Sequence, residues 1–215
     1  MRLFSAPTLT VTAGLAAMTL AFLSSAGAED RPADAASKRL SSAVFAGGCF
    51  WCVEADFDKV TGVIDTVSGY TGGNVANPTY EQVSHTDTGH YEAVKVTYDP
   101  DVVSYDVLVD YFFRHVDPTD PNGQFCDKGD SYRSAVFVGN ESERAIAESE
   151  VAEIEEAGTL GAPVVTAVLP SDTFWPAEDY HQNYYKKNPL KYRFYRASCG
   201  RDGRVEELWG DTAGH

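Results

Sequence analysis

One short stretch constrains this chain more than any other. Residues 42–46, Ser-Ala-Val-Phe-Ala, form an apolar run that stops at Gly47-Gly48, and Cys49 follows at once. From Cys49 the pattern changes period: Phe50, Val53 and Phe57 recur along one helical face, so residues 49–60 read as a helix. The order is strand, sharp glycine turn, helix. It sets a cysteine at a helix N-terminus, where free N–H groups and the positive end of the helix dipole favour a thiolate. The expectation is an approachable thiol of lowered pKa.

The rest of the chain extends this opening. Residues 62–70 alternate Val63, Asp65 and Val67 and read as a strand, and the breakers in 71–78 as a loop. Residues 90–98 read as a strand with Glu92, Val94, Val96 and Tyr98 on one face, and 104–115 as an amphipathic helix with Leu108, Tyr111 and Phe112. A long polar loop (117–130) and a strand (134–138) follow. Next come a helix over 140–157 opened by Asn140 and Glu143, a strand over 163–169 and a Tyr-rich helix over 177–187. The order β-α-β-β-α-β predicts an α+β fold, a two-layer sandwich with a split β-α-β, ferredoxin-like core. With no internal repeat and no linker, residues 41–215 read as one domain with a C-terminal tail.

The first 28 residues read differently. Arg2 precedes an apolar run from Val11 to Leu23, and Ala26-Gly27-Ala28 supplies a small-residue cleavage pattern, so residues 1–28 read as a secretory signal. The run is 13 residues long, against about 20 for a stable membrane span. No stable membrane insertion is expected. Residues 29–40, rich in Ala, Asp and Pro, read as a flexible leader. The protein is thus expected to be exported, in a periplasm-like compartment. With 17 Lys and Arg against 32 Asp and Glu, the net charge of −15 repels nucleic acid. The basic, aromatic stretch 186–204 reads as the solvated flank of a structured region.

An oxidising compartment makes the four cysteines informative: Cys49 and Cys52 form a C-x-x-C, and Cys126 and Cys199 stand alone. By themselves they fit an exported thiol–disulfide exchange protein or, less well, a zinc module. The surrounding residues narrow the choice. Ala46-Gly47-Gly48-Cys49-Phe50-Trp51, Gly69-Tyr70-Thr71-Gly72-Gly73, Asn77-Pro78-Thr79-Tyr80 and Gly89-His90-Tyr91-Glu92-Ala93-Val94 occur in order. Asp127 with Tyr132-Arg133-Ser134, then Ala177-Glu178-Asp179-Tyr180-His181-Gln182, complete the series. Together they resemble the peptide methionine sulfoxide reductase A family.

The resemblance implies thiol-dependent reduction of methionine S-sulfoxide, in proteins and free, with no cofactor and no metal. It implies Cys49 as nucleophile, Phe50 and Trp51 as an aromatic slot for the substrate methyl, and Glu92 as the acid for the departing oxygen. Glu92 shares its strand face with valines, and burial there would keep it protonated. Tyr80, Tyr132 and Asp127 correspond to the remaining polar pocket residues. His181 reads as a packed or capping residue.

The departures concern thiols. Cys52 replaces the family's usual Gly, Phe125-Cys126 replaces a common Gly-Asn, and Cys199-Gly200 resembles the C-terminal resolving cysteine on a flexible tail. A Cys49 sulfenic acid would condense with one of three thiols, Cys52 or Cys199 about equally and Cys126 behind them. A relay toward an exposed disulfide is the expectation. The partners are oxidised proteins or peptides bearing methionine sulfoxide and an exported, thioredoxin-like thiol reductant.

Overall fold

A computed structural model of the chain describes residues 10, 39–210 and 213. Apart from residues 10, 39 and 40, the signal segment 1–28 and the leader 29–40 lie outside the described residues. The elements begin with β1 (Ser41–Gly47), α1 (Phe50–Phe57), β2 (Val63–Thr71), α2 (Tyr80–His85), β3 (Tyr91–Tyr98) and α3 (Tyr105–Phe113). Two short strands, β4 (Gly123–Gln124) and β5 (Asp127–Lys128), precede β6 (Ser134–Val138) and α4 (Glu141–Ala157). Then come β7 (Ala167–Pro170), β8 (Trp175–Pro176), α5 (Tyr184–Lys187), α6 (Pro189–Ser198) and α7 (Arg201–Trp209).

The main sheet runs β7-β6-β1-β3-β2-β8, antiparallel except for the β6–β7 pair. Its four inner strands have the split β-α-β order: the last beside the first, then the third and the second. Alternation along β1 explains the layering. Phe45 faces a core with Phe50, Phe57, Val94, Leu108, Phe112 and Val136, and its ring lies 4.8 Å from Phe57 and 5.1 Å from Phe112. Ala46, the next residue, faces a smaller cluster with Tyr91, Ala93, Ala135 and Phe137. Ala147 and Ile154 of α4 join the Phe45 cluster, so α1, α3 and α4 form the helical layer. The described residues from 39 onward fall in one compact unit. No helix among the described residues is long and apolar enough to cross a membrane.

Four local expectations need correction. The first helix ends at Phe57 rather than residue 60, and Cys49 is its N-cap. Helix α2 falls where loop and irregular chain were read, because a reciprocal capping box between Thr79 and Gln82 closes a helix too short to show a period. The strand read at 163–169 is shifted to β7. The helix read over 177–187 is helical only from Tyr184, since Asn183 takes a left-handed φ of 52° that an α-helix excludes.

The C-terminal correction is the largest. The stretch read as a solvated flank and flexible tail is two helices, α6 and α7, hinged at Gly200 with φ 70°. Tyr192, Arg201, Val205 and Trp209 are buried. Cys199 caps α6, at a helix–helix corner.

Candidate active site

The site begins with the glycine turn. A Cβ on Gly47 would lie 2.9 Å from Val116 Cγ1, and one on Gly48, at φ +78°, 2.5 Å from Gln124 Cβ. Both positions need glycine because the turn is pressed against residues 116–124. Cys49 then leaves β1 with non-helical angles and only 7% of its surface exposed. An unsatisfied amide of the first helical turn finds its acceptor on the neighbouring strand: Phe50 N–H donates to Glu92 Oε2 at 3.1 Å. That bond ties the carboxyl of β3 to the helix start that carries the thiol.

Cys49, Phe50, Trp51, Tyr80, Glu92, Asp127, Tyr132 and Tyr195 line a cavity of about 60 Å³. Small-molecule and cofactor pockets run from about 300 Å³ upward, so this one suits the end of a side chain. A larger hollow of about 290 Å³ between residues 83–90 and 128–132 gathers no thiol. Seven of the eight lining residues are those singled out in the sequence.

The eighth, Tyr195, was missed. Its hydroxyl donates to Asp127 Oδ2 and also hydrogen-bonds with Cys49. Its spacing of four residues from Cys199, which puts both on one helix face, was the available signal.

Of the remaining candidates, Cys52 is buried beside Cys49, and both are free thiols. Cys126 and Cys199 form a disulfide next to Asp127. Cys126, Asp127 and Cys199 are the only described cluster with metal-ligand spacing, but their sulfurs are bonded to each other and offer no thiolate.

Charge in the cavity is set mainly by burial. Glu92, 2% exposed, is pushed up to about 8 by desolvation, with the Phe50 N–H opposing and Asp127 adding to the rise. Most of it is protonated at neutral pH. Burial also raises Asp127, and raises Tyr80 to about 12. The two thiols differ in direction. Burial and the hydrogen bond to Cys52 push Cys49 up, so the lowered value expected from the helix N-terminus alone is outweighed. Cys52 is lowered, first by its hydrogen bond with Cys49, then by Arg201 and Arg196. Of the two, Cys49 is the harder to ionise.

The aromatic side of the cavity is equally fixed. Trp51 stacks on Tyr184 with centroids 3.8 Å apart and meets Tyr195 edge-on at 5.8 Å. Its indole N–H donates to His181 Nδ1 at 3.0 Å. His181 is 1% exposed and desolvation lowers it to about 4, so it is neutral, with its proton on Nε2. This is a packed histidine that orients Trp51.

Comparison with known proteins agrees with this geometry. A family model for peptide methionine sulfoxide reductase matches residues 41–213. The peptide methionine sulfoxide reductase MsrA 2 of Rhizobium meliloti is 54% identical over 171 residues, which cover 80% of this chain and 84% of the relative. The MsrA/MsrB protein of Vibrio cholerae is 46% identical over 91% of this chain, which spans about half (52%) of that relative's length. Among solved structures, methionine sulfoxide reductase A of Corynebacterium diphtheriae superposes with a TM-score of 0.63 at 34% identity, covering 70% of this chain and 76% of its own. With a matched model over nearly all of the sandwich and a thiol–carboxyl cavity inside it, the chain belongs to the peptide methionine sulfoxide reductase family, thiol-dependent enzymes that return methionine sulfoxide to methionine.

Proposed function

We propose that this protein reduces the S-epimer of methionine sulfoxide, in peptides and free, with Cys49 as nucleophile and Glu92 as acid. The observation that carries this reading is the shared cavity: the Cys49 thiol and the Glu92 carboxyl face one small space, joined through Phe50 N–H. The substrate methyl enters between Phe50 and Trp51, where sulfur–aromatic contact is favourable. The sulfoxide oxygen turns toward Glu92, Tyr80 and Tyr132.

Cys49 sulfur attacks the sulfoxide sulfur, and Glu92 protonates the oxygen and regains a proton from the one the thiol gives up. The methionine S–O bond breaks as the oxygen passes to the Cys49 sulfur. Methionine leaves, and Cys49 holds the oxygen as a sulfenic acid. Cys52 attacks that sulfur, water departs, and a Cys49–Cys52 disulfide forms. Its position beside Cys49, with a thiol pulled down by Arg201 and Arg196, supports it over Cys126 and Cys199, which are bonded to each other. An external dithiol then restores both thiols, so each turnover consumes one dithiol and releases one water. With the signal segment cleaved after Ala28, the enzyme works outside the cytoplasm, and the dithiol is an exported thioredoxin-like protein.

The test is turnover of each epimer of a blocked methionine sulfoxide with dithiothreitol, for wild type and Cys49→Ser. The expected result is consumption of the S-epimer alone and none by the variant. Equal use of both epimers, or activity in Cys49→Ser, overturns the reading.

A further inference from the structure

We propose that the Cys126–Cys199 disulfide is a clamp that positions Asp127 and Tyr195 against Cys49 and carries no electrons during turnover. The proposal rests on the reading of Cys49 and Cys52 as the redox pair, and departs from the relay expected from sequence.

The two half-cystines flank two lining residues of the cavity. Cys126 immediately precedes Asp127, and Cys199 lies one helical turn after Tyr195 on α6. Their bond joins segments 73 residues apart and brings together the β4–β5 hairpin and the end of α6. Across the same junction Cys126 N–H reaches Cys199 Sγ at 3.3 Å, and the Tyr195 hydroxyl donates to Asp127.

The hairpin is anchored at Gln124, which is buried and hydrogen-bonded to Asp117 N–H and C=O, and at Phe125 under Arg201. The Asp127 side chain itself is held by the Tyr195 hydroxyl, with the disulfide beside it. Strands β4 and β5 have two residues each and pair only with each other, at Gly123–Lys128 and Gln124–Asp127. An isolated two-stranded hairpin is marginal even when longer. The covalent bond therefore supplies the constraint that the sheet supplies to Glu92. The path of contacts from Cys49 to the disulfide runs through the Tyr195 hydroxyl and the Asp127 carboxyl, neither of which transfers electrons between sulfurs.

The clamp has a signature in the pH profile. Glu92 is faced by Cys49 and Cys52 from α1, Tyr70 from β2, Tyr80 from α2, and Asp127 and Tyr132 from the loop side. Asp127 is among the groups that hold Glu92 up near 8. Releasing Asp127 removes that contribution, so the alkaline limb of activity moves to lower pH.

The experiment measures the single-turnover rate of methionine formation by Cys126→Ser, Cys199→Ser and the double variant, with Cys49 and Cys52 reduced. Each single variant is expected to be slower by about tenfold or more, as for a misplaced reacting group. The double variant should be no slower than either single one, because one break frees the clamp, and all three should show the displaced alkaline limb. Unchanged single-turnover rates overturn the proposal.

A second measurement needs no variant. Wild-type enzyme isolated with the disulfide intact is run at steady state with a protein dithiol, then quenched in acid and alkylated. Label on Cys49 and Cys52 alone is expected, and label accumulating on Cys126 or Cys199 shows that they carry electrons and overturns the clamp. Failure of the underlying reading shows separately, as activity in Cys49→Ser.

Discussion

The two walls of the cavity are built by different means. Cys49, Phe50 and Glu92 stand on the sheet: Gly47 pairs with Ser134 across β1–β6, and Glu92 pairs with Tyr70 across β2–β3. Asp127, Tyr132 and Tyr195 come from a two-residue strand, a single 3₁₀ turn and a late helix. What gathers them is a disulfide, the Tyr195–Asp127 hydrogen bond and Arg201, whose guanidinium donates to Gly47 O at 3.0 Å and His115 O at 2.9 Å. The fold itself positions the Cys49 thiol and the Glu92 carboxyl, whereas covalent and side-chain devices position their polar neighbours. Changes in the first wall should therefore remove chemistry, and changes in the second should loosen geometry.

The largest effect belongs to Cys49→Ser. Activity should vanish while the far-UV spectrum and unfolding midpoint stay near wild type, because serine is a good residue at a helix N-cap. Glu92→Gln comes next. Gln keeps the acceptor for Phe50 N–H but cannot protonate the departing oxygen, so the single-turnover rate should fall on the order of 10²-fold. The wild-type rate should decline as pH rises through about 8, and the variant should lack that limb.

Stability gives an independent check. The folded chain holds the Glu92 proton from 4.5 up to about 8 while the unfolded chain has lost it, so this contribution is full below about 4.5, declines across that interval and is gone above about 8. Denaturant titrations should show Glu92→Gln gaining on wild type as pH rises from about 4.5 to about 8, with no further gain above that.

The second wall should respond less. Asp127→Asn and Tyr195→Phe each break one end of the same hydrogen bond, and each should lower kcat/KM by about tenfold, the cost of imperfect positioning. The double variant should be little worse than either single one, since the two groups act as a unit. Losses as large as that of Glu92→Gln would erase the distinction between the walls.

That distinction also decided what could be read in the sequence. Strand β1, the glycine turn and β3 announce themselves by alternation and breakers, so the elements that carry Cys49 and Glu92 were legible, while their pairing across the sheet came from the fold and the link between the two residues from the family resemblance. Family motifs supplied Tyr80, Asp127 and Tyr132, which no local pattern would select. Tyr195 stayed hidden because its role depends on α6 folding back over 68 residues to Asp127. The same basic, aromatic stretch looked like solvated surface, yet Arg196 and Arg201 pair with Asp56, which is 1% exposed. Charge patterning along a chain does not show that its partner lies in α1. The Cys126–Cys199 pairing was equally out of reach, because disulfide connectivity is a property of the folded distances.

The smallest effect should come from behind the aromatic slot, at His181. Its neutral ring accepts the Trp51 indole N–H and packs with Phe50 and Tyr80 at centroid distances of 4.9 and 4.5 Å. His181→Asn places an oxygen near where Nδ1 lies, whereas His181→Leu leaves the indole N–H without an acceptor. Leaving a buried donor unsatisfied costs about 1–3 kcal/mol, so the leucine variant should be the less stable of the two. Both should bind substrate within a few-fold of wild type, because Tyr184 still stacks on Trp51. The pH dependence separates this residue from Glu92. Burial lowers His181 from 6.5 to about 4, so between those values the unfolded chain binds the proton and the folded chain does not. Its effect on stability is therefore fully favourable above about 6.5 and is lost as pH falls toward about 4. His181→Asn should remove the loss of stability as pH falls from about 6.5 to about 4 and leave the opposite loss as pH rises toward about 8, which belongs to Glu92. An acid limb that persists in the variant would assign it to another buried group.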